Sequence, residues 1–353
     1  MAPTLLNPRQ HGAGEEAIVI PVNQTQTLIE RLIRESGAAD AEAAIRQSAR
    51  ALIDLYHAQI GDVEMPLNVE VLASLRGITK SDLPPVHSDD AELVPDGQGG
   101  VEFRVNPDRP ETRQRFSVAH EIAHTFFPDY ETKTWCRTDA KYRCRDNPDD
   151  YVEMLCDIGA SELLMPLPWF ATDILAVESA ENLSGIVRRY HASREAVLRR
   201  FAEIHPRAVA AVFLSWKLKP TQQSTIGRLE QPNLFGLDPA EEARRAKKLR
   251  IDYTIPSVSF RTGGHFLPSD KSVENNGPLY DAAISRRGCE GECDLDLGQA
   301  SGRYRVIALP VWTEIAELGP NGENAVAAII EPLQVKPPKR KKGSTSDTAR
   351  QLF

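Results

Sequence analysis

The stretch Arg115-Phe116-Ser117-Val118-Ala119-His120-Glu121-Ile122-Ala123-His124 holds a helix pattern and a set of metal-binding side chains together. Residues Thr112 to Phe127 read as one helix stopped by Pro128. Within it, His120 and His124 are four positions apart. Positions i and i+4 share a helix face, so both imidazoles converge on one point. Glu121 is the next residue after the first His, beside such a point and not on it, where a carboxylate can take a proton from water. Phe116, Val118, Ala119, Ile122, Ala123 and Phe126 give the helix enough apolar surface to be well buried. Two imidazoles and a carboxylate on a buried helix need a reason, because unpaired buried polar groups are costly. The plainer alternative is a pair of hydrogen-bonded core histidines with Glu121 at the surface.

A hydrolytic zinc site takes three protein ligands and leaves a fourth position open. The third candidate is Glu153, on the next strongly helical segment, Tyr151 to Met165, which Pro166 and Pro168 stop. Asp157 lies four residues further on, on the same helix face. From there it can accept the outer N–H of a ligand histidine. Asp129, Cys136, Asp139 and Cys144 are competing ligands in the loop-rich stretch Asp129 to Asp150, while His87 reads as plain loop. Glu162 either faces solvent or lines the cleft. Tyr130, Tyr142 and Tyr151 are candidates for steadying an oxyanion, without a ranking among them.

Arg115 to His124, taken with Glu153 to Pro166 and its ending Glu162-Leu163-Leu164-Met165-Pro166, resembles the ImmA/IrrE family of metallopeptidases. The strand Val101 to Asn106 and the short helix ending in Gly77-Ile78 fit the same family. The resemblance covers about residues 40 to 175. It implies one Zn2+ on His120, His124 and Glu153, replaceable in vitro by Mn2+, with Glu121 as the catalytic base. It also implies a protein substrate, a helix-turn-helix repressor cleaved in a stress response or in mobile-element control. Two features depart from the family. Cys156 stands where Ala is common, and the Asp129 to Asp150 loop is long and carries two cysteines.

The 353 residues suit two or three domains, and 41% hydrophobic with 26% charged residues is ordinary globular composition. No apolar run approaches the ~20 residues that cross a bilayer. With no secretory pattern in Met1 to Gly12, the expectation is a cytoplasmic protein without membrane partners. The net charge of -8 argues against general nucleic-acid coating, while leaving room for one local basic face. Five cysteines in such a chain read as reduced thiols, with Cys289 and Cys293 in an acidic surface loop.

The expected fold class is α+β. A flexible N-terminus (1–22) precedes a zincin-like peptidase domain (23–178) of helices plus a small antiparallel sheet. Next come a helix-turn-helix-like segment (179–207), an α/β GAF-like C-terminal domain (208–333) and a basic disordered tail (334–353). The helices read as Gln26 to Glu35, Asp40 to Ile60, and a short one after Pro66-Leu67-Asn68. Ala91 to Val94 and Val101 to Val105 form a hairpin. Further strands are expected at Ala208 to Trp216, Arg250 to Tyr253, Val258 to Phe260, Tyr304 to Val311 and Ala325 to Ile330, with a helix over Pro239 to Leu249. The C-terminal domain shows no ligand motif, and Phe266 to Ser272 reads as an ordinary loop.

Leu183 to Phe201 reads as two helices around His191-Ala192-Ser193. Ser193 caps the second, with Arg194, Arg199 and Arg200 exposed on it. This pair either contacts DNA or packs against the peptidase. The function that competes with proteolysis is therefore a non-proteolytic DNA-binding transcription regulator that keeps the zincin fold. A pure binding module has no need of a general base at Glu121. The basic tail from Lys336 reads as solvated, with weak phosphate affinity as its sharper reading.

Overall fold

The computed structural model describes residues 24–61, 64–86, 90–98, 100–128, 130, 135–136, 144–221, 246–297, 301–311 and 325–335. The expected flexible N-terminus, nearly all of the basic tail, His87, Asp129, Asp139, Tyr142 and most of the Pro239 to Leu249 helix lie outside these residues.

The first half is helical around a small sheet. Helices α1 (Gln24–Ser36), α2 (Ala41–Ile60) and α3 (Val69–Leu75) come first. The α2 helix is capped by the Asp40 carboxylate, which accepts from Ala43 N at 2.8 Å, and it stops at Gly61 with φ 86. It buries Ala41, Ala44, Ile45, Ala49, Leu52, Ile53 and Tyr56, the helical spacing legible in its sequence. Strands β1 (Ile78–Lys80), β2 (Ala91–Pro95), β3 (Val101–Val105) and β4 (Trp135–Cys136) form a sheet in the order β1-β3-β2-β4. The β2–β3 hairpin stands as expected, with Leu93 opposite Phe103. The sheet is mixed, however, not purely antiparallel: β1 runs parallel to β3. From β1 the chain crosses to β2 and returns along β3, which lies between them.

Two helices carry the site residues, α4 (Glu111–His124) and α5 (Pro148–Leu164). The α4 helix ends at His124, a turn earlier than its apolar pattern suggests. Asn147 caps α5 by accepting from Asp149 N at 3.0 Å, and Pro148 occupies its first position. The two helices meet at Gly159 and Ala123. A Cβ at Gly159 would lie 2.7 Å from the Cβ of Ala123 and 3.2 Å from Cγ2 of Ile45. Pro166 and Pro168 do stop α5, yet they also open a helix absent from the sequence reading, α6 (Leu167–Leu175). Proline is tolerated in a first helical turn, where its missing N–H has no partner to lose.

Helices α7 (Ala180–Tyr190) and α8 (Arg194–Ile204) follow, joined at His191 in the left-handed region with φ 46. Ser193 caps α8 by accepting from Ala196 N at 3.1 Å. Arg200 corrects the expectation of an exposed basic face. It is 1% exposed and ion-paired to the fully buried Glu162 of α5. Its long apolar stem allows a guanidinium to be buried when a carboxylate awaits it.

The second sheet is fully antiparallel. Strands β5 (Ala210–Lys217), β6 (Lys248–Pro256), β7 (Cys289–Leu295), β8 (Gly302–Val311) and β9 (Ala325–Val335) take the order β6-β5-β9-β8-β7. Both faces of its centre are covered. Ala211, Phe213, Ile307, Leu309, Ala327 and Ile329 join the core that runs through α7, α8 and on to α4. Their alternating neighbours Ala210, Val212, Val306, Ala308, Val326 and Ala328 belong to a second core on the opposite face.

Three local readings change here. Val258 to Phe260 is not a strand. It lies in the short helix α9 (Val258–Thr262), because the Ser257 hydroxyl accepts from Phe260 N at 3.1 Å and starts a turn. Cys289 and Cys293 lie in the edge strand β7, not in an acidic loop. They share one face of the strand, half-buried against the second core, and burial pushes the Cys293 thiol up to about 11. Helix α10 (Pro278–Ser285), which packs on β7 and β8, had no counterpart in the sequence reading. Among the described residues no helix is long and apolar enough to cross a membrane.

Candidate metal centre

Helix α4 presents His120, Glu121 and His124, all with no exposed surface. Helix α5 faces it with Glu153, Cys156 and Asp157, spaced i, i+3 and i+4 so that all three lie on one side. The carboxylate of Glu153 meets both imidazoles through their Nε2 atoms. Its Oε2 is 3.2 Å from Nε2 of His120, and its Oε1 is 3.5 Å from Nε2 of His124. On the other side of the His120 ring, Nδ1 is 2.9 Å from Oδ1 of Asp157. The structure thus gathers His120, Glu121, His124, Glu153 and Asp157 into one pair of facing helices.

The donor chemistry fits a divalent cation. His120 Nε2 is buried and faces Glu153 without the alignment of a hydrogen bond. Two imidazoles and a carboxylate are the ligand types of hydrolytic zinc. Burial alone would lower the His120 pKa, but the Asp157 and Glu153 carboxylates outweigh it and push it up to about 9. Metal and proton compete for an imidazole nitrogen, so carboxylates that favour the protonated ring also favour a bound cation there.

A second donor set overlaps the first. His120, His124 and Cys156 are all buried and bring ligand-type atoms within 4.8 Å of one another, a group that can hold a metal ion. Nothing in the sequence reading weighed Cys156 in this place. Its position three residues after Glu153, on the same helix, was the available signal. Its sulfur is 3.3 Å from Nδ1 of His124, the ring nitrogen opposite the one that meets Glu153.

The other described candidates make contacts of their own. Glu162 neither faces solvent nor lines a cleft. It is fully buried and ion-paired with Arg46 and Arg50 of α2 and with Arg200 of α8. Cys144 is exposed in the segment before α5, where its N–H donates to Asp150 at 3.0 Å. Tyr130 has its ring under the Arg76 guanidinium, and Tyr151 under that of Arg145. The side chain of Cys136 lies outside the described residues.

A buried His-Glu-x-x-His helix facing a carboxylate presents the residue types and spacing that a hydrolytic metal site uses. Residues 98–202 match the family model described as "IrrE N-terminal-like domain", which supports the resemblance of this segment to the ImmA/IrrE family. A comparison with the curated proteins finds no match. Among solved structures the chain is similar to a Mycobacterium tuberculosis transcriptional regulator at 15% identity and a TM-score of 0.41, covering 88% of this chain and 77% of that one. That likeness is too distant to bear on function.

Proposed function

We propose that the chain is a zinc-dependent endopeptidase, with His120, His124 and Glu153 as metal ligands, Glu121 as general base and Asp157 holding His120. One observation carries the choice of Glu153 as third ligand: Nε2 of both histidines converges on its carboxylate. A zinc ion held there supplies Lewis acidity toward the scissile carbonyl and a water. Glu121 takes the proton of that water and passes it to the leaving amine. Asp157 accepts from Nδ1 of His120, fixing the tautomer that turns Nε2 toward the metal. Burial of His120, Glu121 and His124 keeps bulk water from these three side chains, which strengthens their electrostatics.

The substrate we infer is a regulatory protein, a helix-turn-helix repressor, by resemblance to the family; the cytoplasm is the compartment where such a repressor is met. The segment after the peptidase is read as a helical pair that packs rather than one that grips DNA. Burial of Arg200 supports this, because it withdraws a cation from any DNA-facing surface. We read the 208–333 region as a GAF-like sensing or docking domain built on the second sheet.

Incubating the zinc-loaded chain with a repressor encoded beside it tests the activity. Glu121→Gln should keep the fold and the metal while cleavage falls by about 10²–10⁴-fold, the usual contribution of a general base. No cleavage by the wild type, or equal cleavage by the variant, contradicts the proposal.

A further inference from the structure

Each site histidine uses its two ring nitrogens in the same way. Nε2 turns toward Glu153, and Nδ1 meets another residue of α5: Asp157 for His120 at 2.9 Å, Cys156 for His124 at 3.3 Å. Cys156 has no exposed surface, and neither does His124. We propose that Cys156 is a positioning residue for the metal centre, accepting from Nδ1–H of His124, and not itself a metal donor. This rests on the reading of the metal centre given above.

The geometry of imidazole carries the point. Nδ1 and Nε2 lie on different edges of the ring, so a nitrogen that meets Cys156 cannot be the one that meets Glu153. When Nε2 binds a cation, Nδ1 keeps its proton and needs an acceptor, because a buried N–H without one is costly. The sulfur of Cys156 lies 3.3 Å from that nitrogen. Thiol sulfur is a weak acceptor and a carboxylate a strong one. The two ligands are therefore held unequally, His120 by a carboxylate and His124 by a sulfur. A direct Cys156 ligand would instead need His124 to present Nδ1 to the metal, turning Nε2 away from it.

The test uses the full chain loaded with Co2+, whose spectrum reports thiolate ligation, and measures affinity by competition with a chelator. The wild type should bind cobalt without a thiolate-to-cobalt charge-transfer band. Cys156→Ala should weaken binding by roughly 10-fold or more, the usual effect of removing an outer partner of a ligand histidine. Cys156→Ser, which keeps an acceptor, should recover part of that loss. A charge-transfer band in the wild type that disappears in Cys156→Ala makes the cysteine a ligand and overturns the proposal. So does affinity unchanged in Cys156→Ala while Glu153→Ala loses the metal, or Cys156→Ser binding as weakly as Cys156→Ala. A wild type that takes up no cobalt overturns the metal centre itself, and this proposal with it.

Discussion

Gly159 sets how closely the two site helices approach. Alanine there would gain roughly 1 kcal/mol of helix propensity. The added Cβ would also lie 2.7 Å from that of Ala123, one residue before His124, and neither backbone can turn the contact away. Overpacking of this kind costs about 1–3 kcal/mol. Gly159→Ala is therefore expected to lower stability in urea unfolding and to weaken metal affinity, because the helices must move apart where the ligands converge. A variant as stable as the wild type with unchanged affinity would show that the spacing has slack. At this scale much of the site was legible. The i, i+4 spacing of His120 and His124 and the repeat of that spacing at Glu153 and Asp157 follow from helical periodicity. The contact of Cys156 was not legible, because α5 presents three polar groups to α4 and only the rotation of the helices decides which nitrogen each one meets.

Among the elements, α8 shows how a charge pattern misleads. Its arginines read as an exposed basic face, but Arg200 points inward to Glu162, which Arg46 and Arg50 also reach. Arg199 is half-exposed, stacked over the Tyr253 ring at 5.0 Å and paired with Glu195. Removing Arg200 leaves a buried carboxylate with two partly exposed partners. We expect Arg200→Ala to cost roughly 2–3 kcal/mol, below the ~3–5 kcal/mol for an isolated buried pair because Arg46 and Arg50 remain. Arg188→Ala on α7, whose partner Glu181 is itself exposed, should change stability by less than about 0.5 kcal/mol. Thermal or urea unfolding of the two variants side by side checks the contrast, and equal effects would contradict it. The buried partner of Arg200, Glu162, lies 38 residues away in sequence, beyond any local pattern. The same limit hid α6, whose prolines look like a stop until the chain is seen to turn into a new first turn.

Over the whole molecule, the core passes without a break from α4 and α5 through α7 and α8 to one face of the second sheet. The sequence marks the alternation of β8 and β9 and the turn before α8, but not that the sheet is covered on both sides. That depends on α10 and on the helical pair, which join the sheet only in space. A chain with a continuous core should unfold in one cooperative step. Cutting it after residue 207 should leave α7 and α8 with apolar surface in water, lowering Tm or causing aggregation. Two well-separated thermal transitions in the intact chain would contradict this.

The central claim, a metal held by His120, His124 and Glu153, is tested most directly by metal analysis of the purified wild type beside Glu153→Ala. The account predicts about one zinc per wild-type chain, matching a single three-ligand site, and a large loss of zinc from the variant with the fold intact by circular dichroism. Unchanged zinc content in Glu153→Ala would remove that residue from the site and contradict the account.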